Sequence, residues 1–231
     1  MGLNESKPAT PRKQETVKVL SLKDAQMALQ NAEKEDQFFS SLDSVNLKAR
    51  QGLFYYPVEG NSFSIHHPPL PCPIQICWMH PSAEAGMPHT RLPNLVCLPQ
   101  FFDMAKLPET LLHEAIHVDQ RLRPLEWVRW CVANGWTLVN ESEIPERWLK
   151  RCRMNPDTIK YRFWAYRNRW VPLPMYERED KPRLRDIHVY WWDRKTGILH
   201  KDIPYEIKEL VDGIPNPEHP FEIAAYKYVH I

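Results

Sequence analysis

Two histidines and a glutamate stand at a spacing that suits metal chemistry. His113, Glu114 and His117 form the pattern His-Glu-x-x-His. Because four residues are slightly more than one turn of a helix, both imidazoles would project from one face and could grip the same ion. Glu114 would then lie beside a water molecule on that ion. The pattern therefore predicts a hydrolytic site built around a zinc ion (Zn²⁺).

The third ligand is not adjacent in sequence. A catalytic zinc ion usually takes three protein ligands and leaves its fourth position to water. A metzincin-like site would need a glycine and then a histidine shortly after His117, but this chain has Gln120 and Arg123 at those positions. Asp119 is near, yet it would point away from the metal-facing side of the helix. The third ligand must then come from another part of the chain.

A second segment carries the resemblance to a known family. Residues 216–226 read Asn-Pro-x-x-Pro-Phe-Glu-x-x-Ala-Tyr, and the first motif extends to His-Glu-x-x-His-Val-x-Gln. Together they resemble the gluzincin-type metallopeptidases, especially the small HExxHVxQ proteins that close with a Pro-Phe-Glu-x-x-Ala-Tyr helix. In gluzincins the third ligand is a glutamate on a second helix, and a small residue three positions later, here Ala225, lets the two helices approach. The resemblance implies that zinc is bound by His113, His117 and Glu222 and that Glu114 is the catalytic carboxylate.

The downstream part of the site has alternatives. Glu222 lies far along the chain from His117, and the segment between them is expected to build the substrate site. No aspartate follows Glu222 in its helix to orient a ligand histidine. Glu218 is a rival ligand on the same helix face, although the helix dipole also explains a glutamate in a first turn. Weaker ligand candidates are His188, His200 and His219. Donors that could stabilise the oxyanion of the reaction are Tyr226, Tyr190, His188 and Arg185.

The first motif lies in a predicted helix over residues 108–122. Pro108 suits the first turn, Glu109 complements the helix dipole there, and no breaker occurs before Pro124. A short β-like run, residues 94–98, precedes this helix. It is expected to form the edge strand that zincins place against such a helix.

The remaining elements follow from periodicity and breakers. Helices are predicted in residues 21–50, 125–136 and 145–170, and in a final segment from Pro217 or Pro220 to Tyr228. Strands are predicted in residues 53–58, 63–66, 74–79 and 94–98, and a hairpin joins 187–192 to 198–203 at Gly197. These elements predict an α+β, zincin-like fold, with a small mixed sheet packed on the HExxH helix and additional helices completing the cleft. Residues 1–19 are expected to form a disordered tail, and residues 20–231 a single zincin-like metallopeptidase domain.

The composition limits the class of protein. The 231 residues include 30 Lys and Arg against 29 Asp and Glu, a net charge of +1, which excludes a polycation and an acidic disordered chain. The sequence has neither a membrane span nor the apolar core of a secretory signal. Its 5 Cys stand at irregular spacings and predict free or buried thiols, so a cytoplasmic, reducing location is expected. Gly2 and Ser6 also fit the short myristoylation pattern, which leaves a weak N-myristoyl anchor as an alternative.

Residues 121–170 are basic and rich in tryptophan. They hold eleven Lys or Arg, five Asp or Glu and six Trp. Such a mixture can bind a phosphate backbone and stack on bases, whereas the simpler interpretation is that the Trp rings fill the core and the Arg stems cover it. The favoured function is a zinc metalloendopeptidase that hydrolyses a protein or peptide substrate with water activated by zinc and Glu114. The alternatives are a zinc-stabilised structural or assembly protein and a nucleic-acid-associated binding protein without catalysis.

Overall fold

The computed structural model describes residues 17–60 and 68–229 of the chain. This part forms two β-sheets with a long helix between them, which confirms the predicted α+β class. Gly2, Ser6 and the strand predicted at 63–66 lie outside the described residues. Within those residues, no helix is long and apolar enough to cross a membrane.

The first sheet lies beside the HExxH helix. Its strands are β1 (Val17–Val19), β2 (Ile74–Met79), β3 (His89–Arg91) and β4 (Leu95–Pro99), in the order β1-β2-β4-β3. The strands β1, β2 and β4 are parallel, and β3 runs antiparallel to β4. The strands β2 and β4 are almost wholly buried, which explains their nearly continuous apolar sequences.

Two predictions about this sheet were wrong. Val17–Val19 pairs with β2 and does not belong to the tail predicted for residues 1–19. The run 94–98 corresponds to β4, an interior strand, and the edge strand on this side of the sheet is β3, with β1 at the opposite edge. The sequence of β3, His-Thr-Arg, has no apolar alternation that would predict a strand. It is nevertheless buried, because Arg91 pairs with Asp36 from a neighbouring helix.

The long helix α4 separates the two sheets. The α-helices are α1 (Leu22–Asp36), α2 (Phe38–Ser41), α3 (Ser44–Ala49), α4 (Leu107–Leu122), α5 (Pro124–Ala133), α6 (Glu146–Leu149), α7 (Tyr205–Val211) and α8 (Pro220–Val229). One side of α4 packs on the first sheet through Leu111, Ala115 and Val118. Ile116 faces the core that includes the second sheet. The C-terminal helix α8 packs against α4 and α5, so the two sequence motifs become neighbours.

The second sheet is antiparallel throughout. Its strands are β5 (Trp136–Leu138), β6 (Trp164–Tyr166), β7 (Trp170–Tyr176), β8 (Ile187–Asp193) and β9 (Ile198–His200), in sequence order. The strands β8 and β9 form the predicted hairpin. Gly197 has a φ of 73° in its turn, a backbone conformation that glycine adopts without steric cost.

The helices predicted in residues 145–170 were largely wrong. Only α6 is α-helical there, and a long irregular loop leads from it to β6 and to the start of β7, so most of the expected helical lobe is loop. The strand β7 escaped prediction because proline is rare inside sheets. Strand β6 pairs with β7 only at Trp170, so Pro172 and Pro174 lie where β7 has no strand on that side. Residues 53–58 form one bridge, at Pro57, and no strand.

The basic, tryptophan-rich segment belongs to the core. Its buried tryptophans are Trp127, Trp136, Trp148, Trp164 and Trp170. Arg162 pairs with Glu141, and Arg169 pairs with Asp193. These rings are therefore not available to stack on nucleic-acid bases. The cysteines of the chain are all buried and free, as the sequence predicted.

Candidate metal centre

Helices α4 and α8 bring the two sequence motifs together. His113 and His117 lie one turn apart on α4, and Glu222 lies in the first turn of α8. Nε2 of His113 is 3.1 Å from Nε2 of His117, and each of these nitrogens is 3.3 Å from Oε2 of Glu222. Among the described residues, this is the group of His, Cys, Asp and Glu side chains whose ligand atoms could hold a metal ion.

The triangle of ligand atoms has the size that a tetrahedral ion needs. Metal bonds of about 2.0–2.1 Å place two tetrahedral ligands about 3.3 Å apart. The observed edges are 3.1, 3.3 and 3.3 Å, so one ion above the triangle could reach all three atoms and keep a fourth position open. Ala225, three residues after Glu222, is fully buried in the core that α4 and α8 share. A larger side chain there would push the two helices apart.

Gln120 fixes the orientation of His117. Its Nε2 donates to the carbonyl oxygen of Phe221 at 3.0 Å, so its Oε1 faces Nδ1 of His117 at 2.8 Å. Because an amide oxygen only accepts, Nδ1 of His117 carries the proton and Nε2 is left for the ion. The side-chain amide of Gln120 thus joins His117, a candidate ligand, to the residue before Glu222. The sequence analysis missed this role, although the glutamine of the first motif was the available signal.

Asn155 fixes the orientation of Glu222. Its Nδ2 donates to Oε1 of Glu222 at 3.0 Å and to Oε1 of Glu218 at 2.6 Å. Only Oε2 of Glu222 therefore faces the histidines. Asn155 lies in the loop between α6 and β6, and Asn46 of α3 holds this loop by accepting a hydrogen bond from the backbone N–H of Met154 at 2.8 Å. The long segment between the motifs supplies this support, and no sequence pattern marked it.

Two carboxylates at the triangle are not neutralised by lysine or arginine side chains of the described residues. Three neighbouring ion pairs join Arg50 to Glu84, Arg121 to Asp157 and Arg153 to Glu218. Glu114 and Glu222 have no lysine or arginine partner among the described residues. Oε2 of Glu114 is buried there without a hydrogen-bond partner. Two buried carboxylates beside two imidazoles are a donor set that a divalent cation would balance.

Burial and mutual charge shift the titration of these groups. Burial, reinforced by the charge of Asp157, raises the pKa of Glu114 to about 7, although both imidazoles oppose the shift. Burial lowers the pKa of His117, but the carboxylate of Glu222 outweighs it and raises this pKa to about 10. Burial also disfavours ionised Glu222, yet His117 and His113 hold its pKa well below the usual range. The net pKa shifts of His117 and Glu222 have the same main cause, the attraction between the His117 imidazole and the Glu222 carboxylate.

No protein-family model, curated protein or solved structure matches this chain. The function is therefore inferred from the geometry of the site.

The three candidate ligands line a cleft. This cleft has a volume of about 450 Å³, and Met87 and Pro88 line it just before β3. Arg153, Asp157 and Glu218 also line it, and Lys106 and Glu109 stand at its exposed rim.

The rival ligands have other partners. Glu218 reaches the cleft, but Arg153 and Asn155 bind its Oε1. Burial raises the pKa of Glu218 although Arg153 opposes the shift. Both ring nitrogens of His219 contact backbone groups, and burial lowers its pKa to about 4. His188 and His200 lie in the β8–β9 hairpin and do not join the triangle.

Tyr226 lies beside the triangle. Its ring centre is 4.7 Å from that of His113, one helical turn beyond Glu222. Its hydroxyl has no hydrogen-bond partner in the described part of the chain. Burial and the nearby carboxylates raise its pKa to about 12, so it remains a phenol that can donate a hydrogen bond. The other predicted oxyanion donors, Tyr190, His188 and Arg185, do not line the cleft.

Proposed function

We propose that the protein is a zinc-dependent metallopeptidase with a zincin-like fold. The observation that carries this proposal is the triangle formed by His113, His117 and Glu222, with the unpartnered Oε2 of Glu114 buried next to it. Two histidines, one carboxylate and an open fourth position are typical of catalytic zinc. The fully buried Ala225 and the contact between α4 and α8 agree with the gluzincin resemblance.

The side chains of the cleft can divide the work of peptide hydrolysis. A zinc ion held by the triangle would lower the pKa of a water molecule and polarise the scissile carbonyl. Glu114 accepts a proton from the attacking water while the water oxygen bonds to the carbonyl carbon. The C–N bond then breaks, and Glu114 passes the proton to the leaving nitrogen, so one water is consumed. Tyr226 is placed to donate a hydrogen bond to the oxyanion that forms between these steps.

The substitution Glu114→Gln separates catalysis from metal binding. The amide would keep the size of the side chain but could not accept the proton, so we expect turnover to fall by about 10²–10⁴-fold. We expect the metal content to stay at that of the wild type, because Glu114 is not a ligand. Peptide hydrolysis followed by mass spectrometry and elemental analysis of the purified proteins measure the two quantities.

Glu209→Gln is the control. Glu209 is exposed on α7 and does not line the cleft, so its neutral variant should retain both activity and metal. Unchanged turnover in Glu114→Gln would refute the peptidase mechanism. A metal that only joins α4 to α8 gives a different result: chelation lowers the melting temperature, and the wild type cleaves no peptide.

A further inference from the structure

The sheet edge beside the cleft is closed. The edge strand β3 directs one N–H and one carbonyl outward at Thr90. The N–H donates to Oδ1 of Asp157 at 2.7 Å, and the carbonyl oxygen accepts from Nη2 of Arg121 at 3.1 Å. An extended peptide that adds to a sheet edge needs these main-chain groups. A substrate that lies along β3 therefore cannot continue past Thr90.

Asp157 also separates two cavities. It lines the cleft of about 450 Å³ that contains the metal triangle and a second cavity of about 570 Å³ on its other side. Arg121 donates to the carbonyl oxygen of Pro156 at 2.7 Å as well, so the partition is fixed to both the strand and the loop. Asp157 and its partners thus form a wall between the cleft and the second cavity.

Met87 and Pro88, just before β3, offer no free backbone N–H to a substrate. Met87 and Pro88 line the cleft. The N–H of Met87 donates to the carbonyl oxygen of Glu84 at 3.2 Å, and proline has no N–H. A long peptide that is cleaved in its middle would pair with the protein backbone like an added strand. No backbone N–H group of Met87 or Pro88 is free for such pairing.

The inner end of the cleft presents a free carboxylate oxygen. The side chain of Glu218 is 4% exposed, and its Oε1 is held by Asn155 and Arg153. Its Oε2 has no partner within the described residues and is not among their fully buried unpartnered atoms. Arg153 offers no matching donor, because its terminal nitrogens face Glu218 and Glu84 and its Nε is buried. A positively charged substrate group that donates hydrogen bonds is complementary to this end of the cleft.

Glu218 is close enough to the triangle to reach the same amino acid. Nδ2 of Asn155 binds Glu218 and Glu222 together, so the two bonded carboxylate oxygens are within about 6 Å of each other. In one amino acid, the α-nitrogen lies about 3 Å from the carbonyl oxygen. A carbonyl placed at the triangle would thus have its own α-amino group within reach of Glu218.

Building on the peptidase function, we propose that the cleft binds the free amino terminus of a peptide and removes one amino acid. The terminal ammonium binds Oε2 of Glu218, and the wall at Asp157 stops a longer amino-terminal segment. Hydrolysis is the step described above, with the second residue of the peptide supplying the leaving nitrogen. Cleavage at the amino terminus then takes the place of the internal cleavage that the sequence favoured.

Four forms of one hexapeptide test the proposal on the zinc-loaded, full-length protein. They are free at both ends, acetylated at the amino terminus, amidated at the carboxyl terminus, and blocked at both ends. We expect acetylation to lower kcat/KM by about 100-fold or more and amidation to change it by less than about twofold. Mass spectrometry should detect release of the first amino acid. Equal cleavage of the acetylated peptide, internal cleavage, or dependence on a free carboxylate would overturn the proposal.

The substitution Glu218→Gln tests the ammonium site itself. It keeps the contact to Asn155 but removes the charge, so we expect kcat/KM for the free peptide to fall by about tenfold or more. The small residual activity on the acetylated peptide should not change. Glu209→Gln removes an exposed charge on α7, outside the cleft, and should leave both values near wild type. Equal effects of the two substitutions would argue against a specific site at Glu218.

Peptide binding separates this proposal from the proposed function. Calorimetry measures binding of the free and acetylated hexapeptides to the zinc-loaded wild type and to Glu114→Gln. If no peptide is ever hydrolysed, the peptidase function fails, but tighter binding of the free form by about tenfold still supports the amino-terminal site. Equal binding of the two forms, or no binding of either, overturns it.

Discussion

At the scale of single residues, amides position two of the candidate metal ligands. Gln120 holds His117, and Asn155 holds Glu222. An amide can accept from one group and donate to another without adding a buried charge. This matters in a cleft where Glu114 and Glu222 already lack arginine or lysine partners among the described residues. The ligand atoms can therefore point at one position before an ion arrives.

The substitution Gln120→Leu tests this positioning. Leucine has a similar size but removes the acceptor for Nδ1 of His117 and the donor to the carbonyl of Phe221. We expect zinc affinity to fall by about 10–100-fold, as measured by competition with a chromogenic chelator. Gln75→Leu, on strand β2 away from the cleft, is the control and should keep wild-type affinity. Equal affinity in Gln120→Leu and the wild type would show that Gln120 does not position the ligand.

At the scale of elements, the loop between α6 and β6 completes the site. It carries Arg153, Asn155 and Asp157 into the cleft. Its conformation depends on Asn46, which is fully buried and binds the loop backbone on both sides of Arg153. A loop with so many irregular polar contacts keeps its shape only where each buried polar group has a partner. Helix α3 thus influences the candidate metal centre, although no residue of α3 lines the cleft.

We expect Asn46→Ala to destabilise the protein and weaken metal binding together. Several buried polar partners lose their hydrogen bonds, which should lower the free energy of unfolding by about 2–4 kcal/mol. Urea unfolding and the chelator competition measure the two effects. The exposed Asn140 caps a short helical turn, so Asn140→Ala should cost about 1 kcal/mol and leave zinc affinity unchanged. If Asn46→Ala kept the zinc affinity of the wild type, zinc binding would not depend on the support that Asn46 gives to the loop.

The ion pair between Arg91 and Asp36 joins the edge strand β3 to α1. Nε and Nη2 of Arg91 donate to the two carboxylate oxygens of Asp36, each at 2.7 Å. Burial raises the pKa of Asp36, but the hydrogen bonds and charge of Arg91 outweigh it and leave the pKa below its ordinary value. The carboxylate therefore stabilises the fold above about pH 4, and this contribution is lost as the pH falls through the lower, folded-state pKa.

The substitution Asp36→Asn should reveal this contribution as a pH dependence. At pH 7 we expect the free energy of unfolding to fall by about 1–2 kcal/mol, toward the low end because Asp36 is partly exposed to solvent. Toward about pH 3 the difference between wild type and variant should shrink, because the wild-type carboxylate becomes protonated. Urea unfolding at the two pH values measures it. A difference that stays constant with pH would contradict the role of the ionised carboxylate.

At the scale of the whole molecule, the candidate metal centre lies where separate cores meet. Helix α4 contacts the core of the first sheet on one side and the core shared with α8 on the other. An ion bound to His113, His117 and Glu222 would join these parts of the protein. Since the three ligands come together only in the folded chain, binding should stabilise the native state.

We expect added zinc to raise the stability of the whole protein. Free zinc at about a thousand times its Kd should increase the free energy of unfolding by about 4 kcal/mol. Differential scanning fluorimetry with zinc, and then with excess chelator, measures the rise and its reversal. The variant Glu222→Gln lacks one ligand and should show little rise. The same rise in this variant would mean that zinc stabilises the protein from another place.

The sequence by itself determined the local features of this protein. The pattern His-Glu-x-x-His and the lack of a breaker before Pro124 predicted a helix with both imidazoles on one face, because helical spacing depends only on nearby residues. The hydrophobic run of β2 and the hairpin at Gly197 were predicted for the same reason. The helices predicted in residues 145–170 failed because tertiary contacts overrode a helical pattern: Asn46 holds the loop at Met154, and Trp164 and Trp170 are buried in the second sheet.

Only the tertiary structure decided how the distant parts meet. The contacts of Gln120 with Phe221, of Asn155 with Glu222 and of Asp157 with Thr90 join residues far apart in the chain. A single sequence does not encode such contacts as a spacing, because they depend on how separate elements pack. The approach of Glu222 to the histidines entered the sequence analysis through a family resemblance. In the folded chain it follows from α8 packing directly on α4.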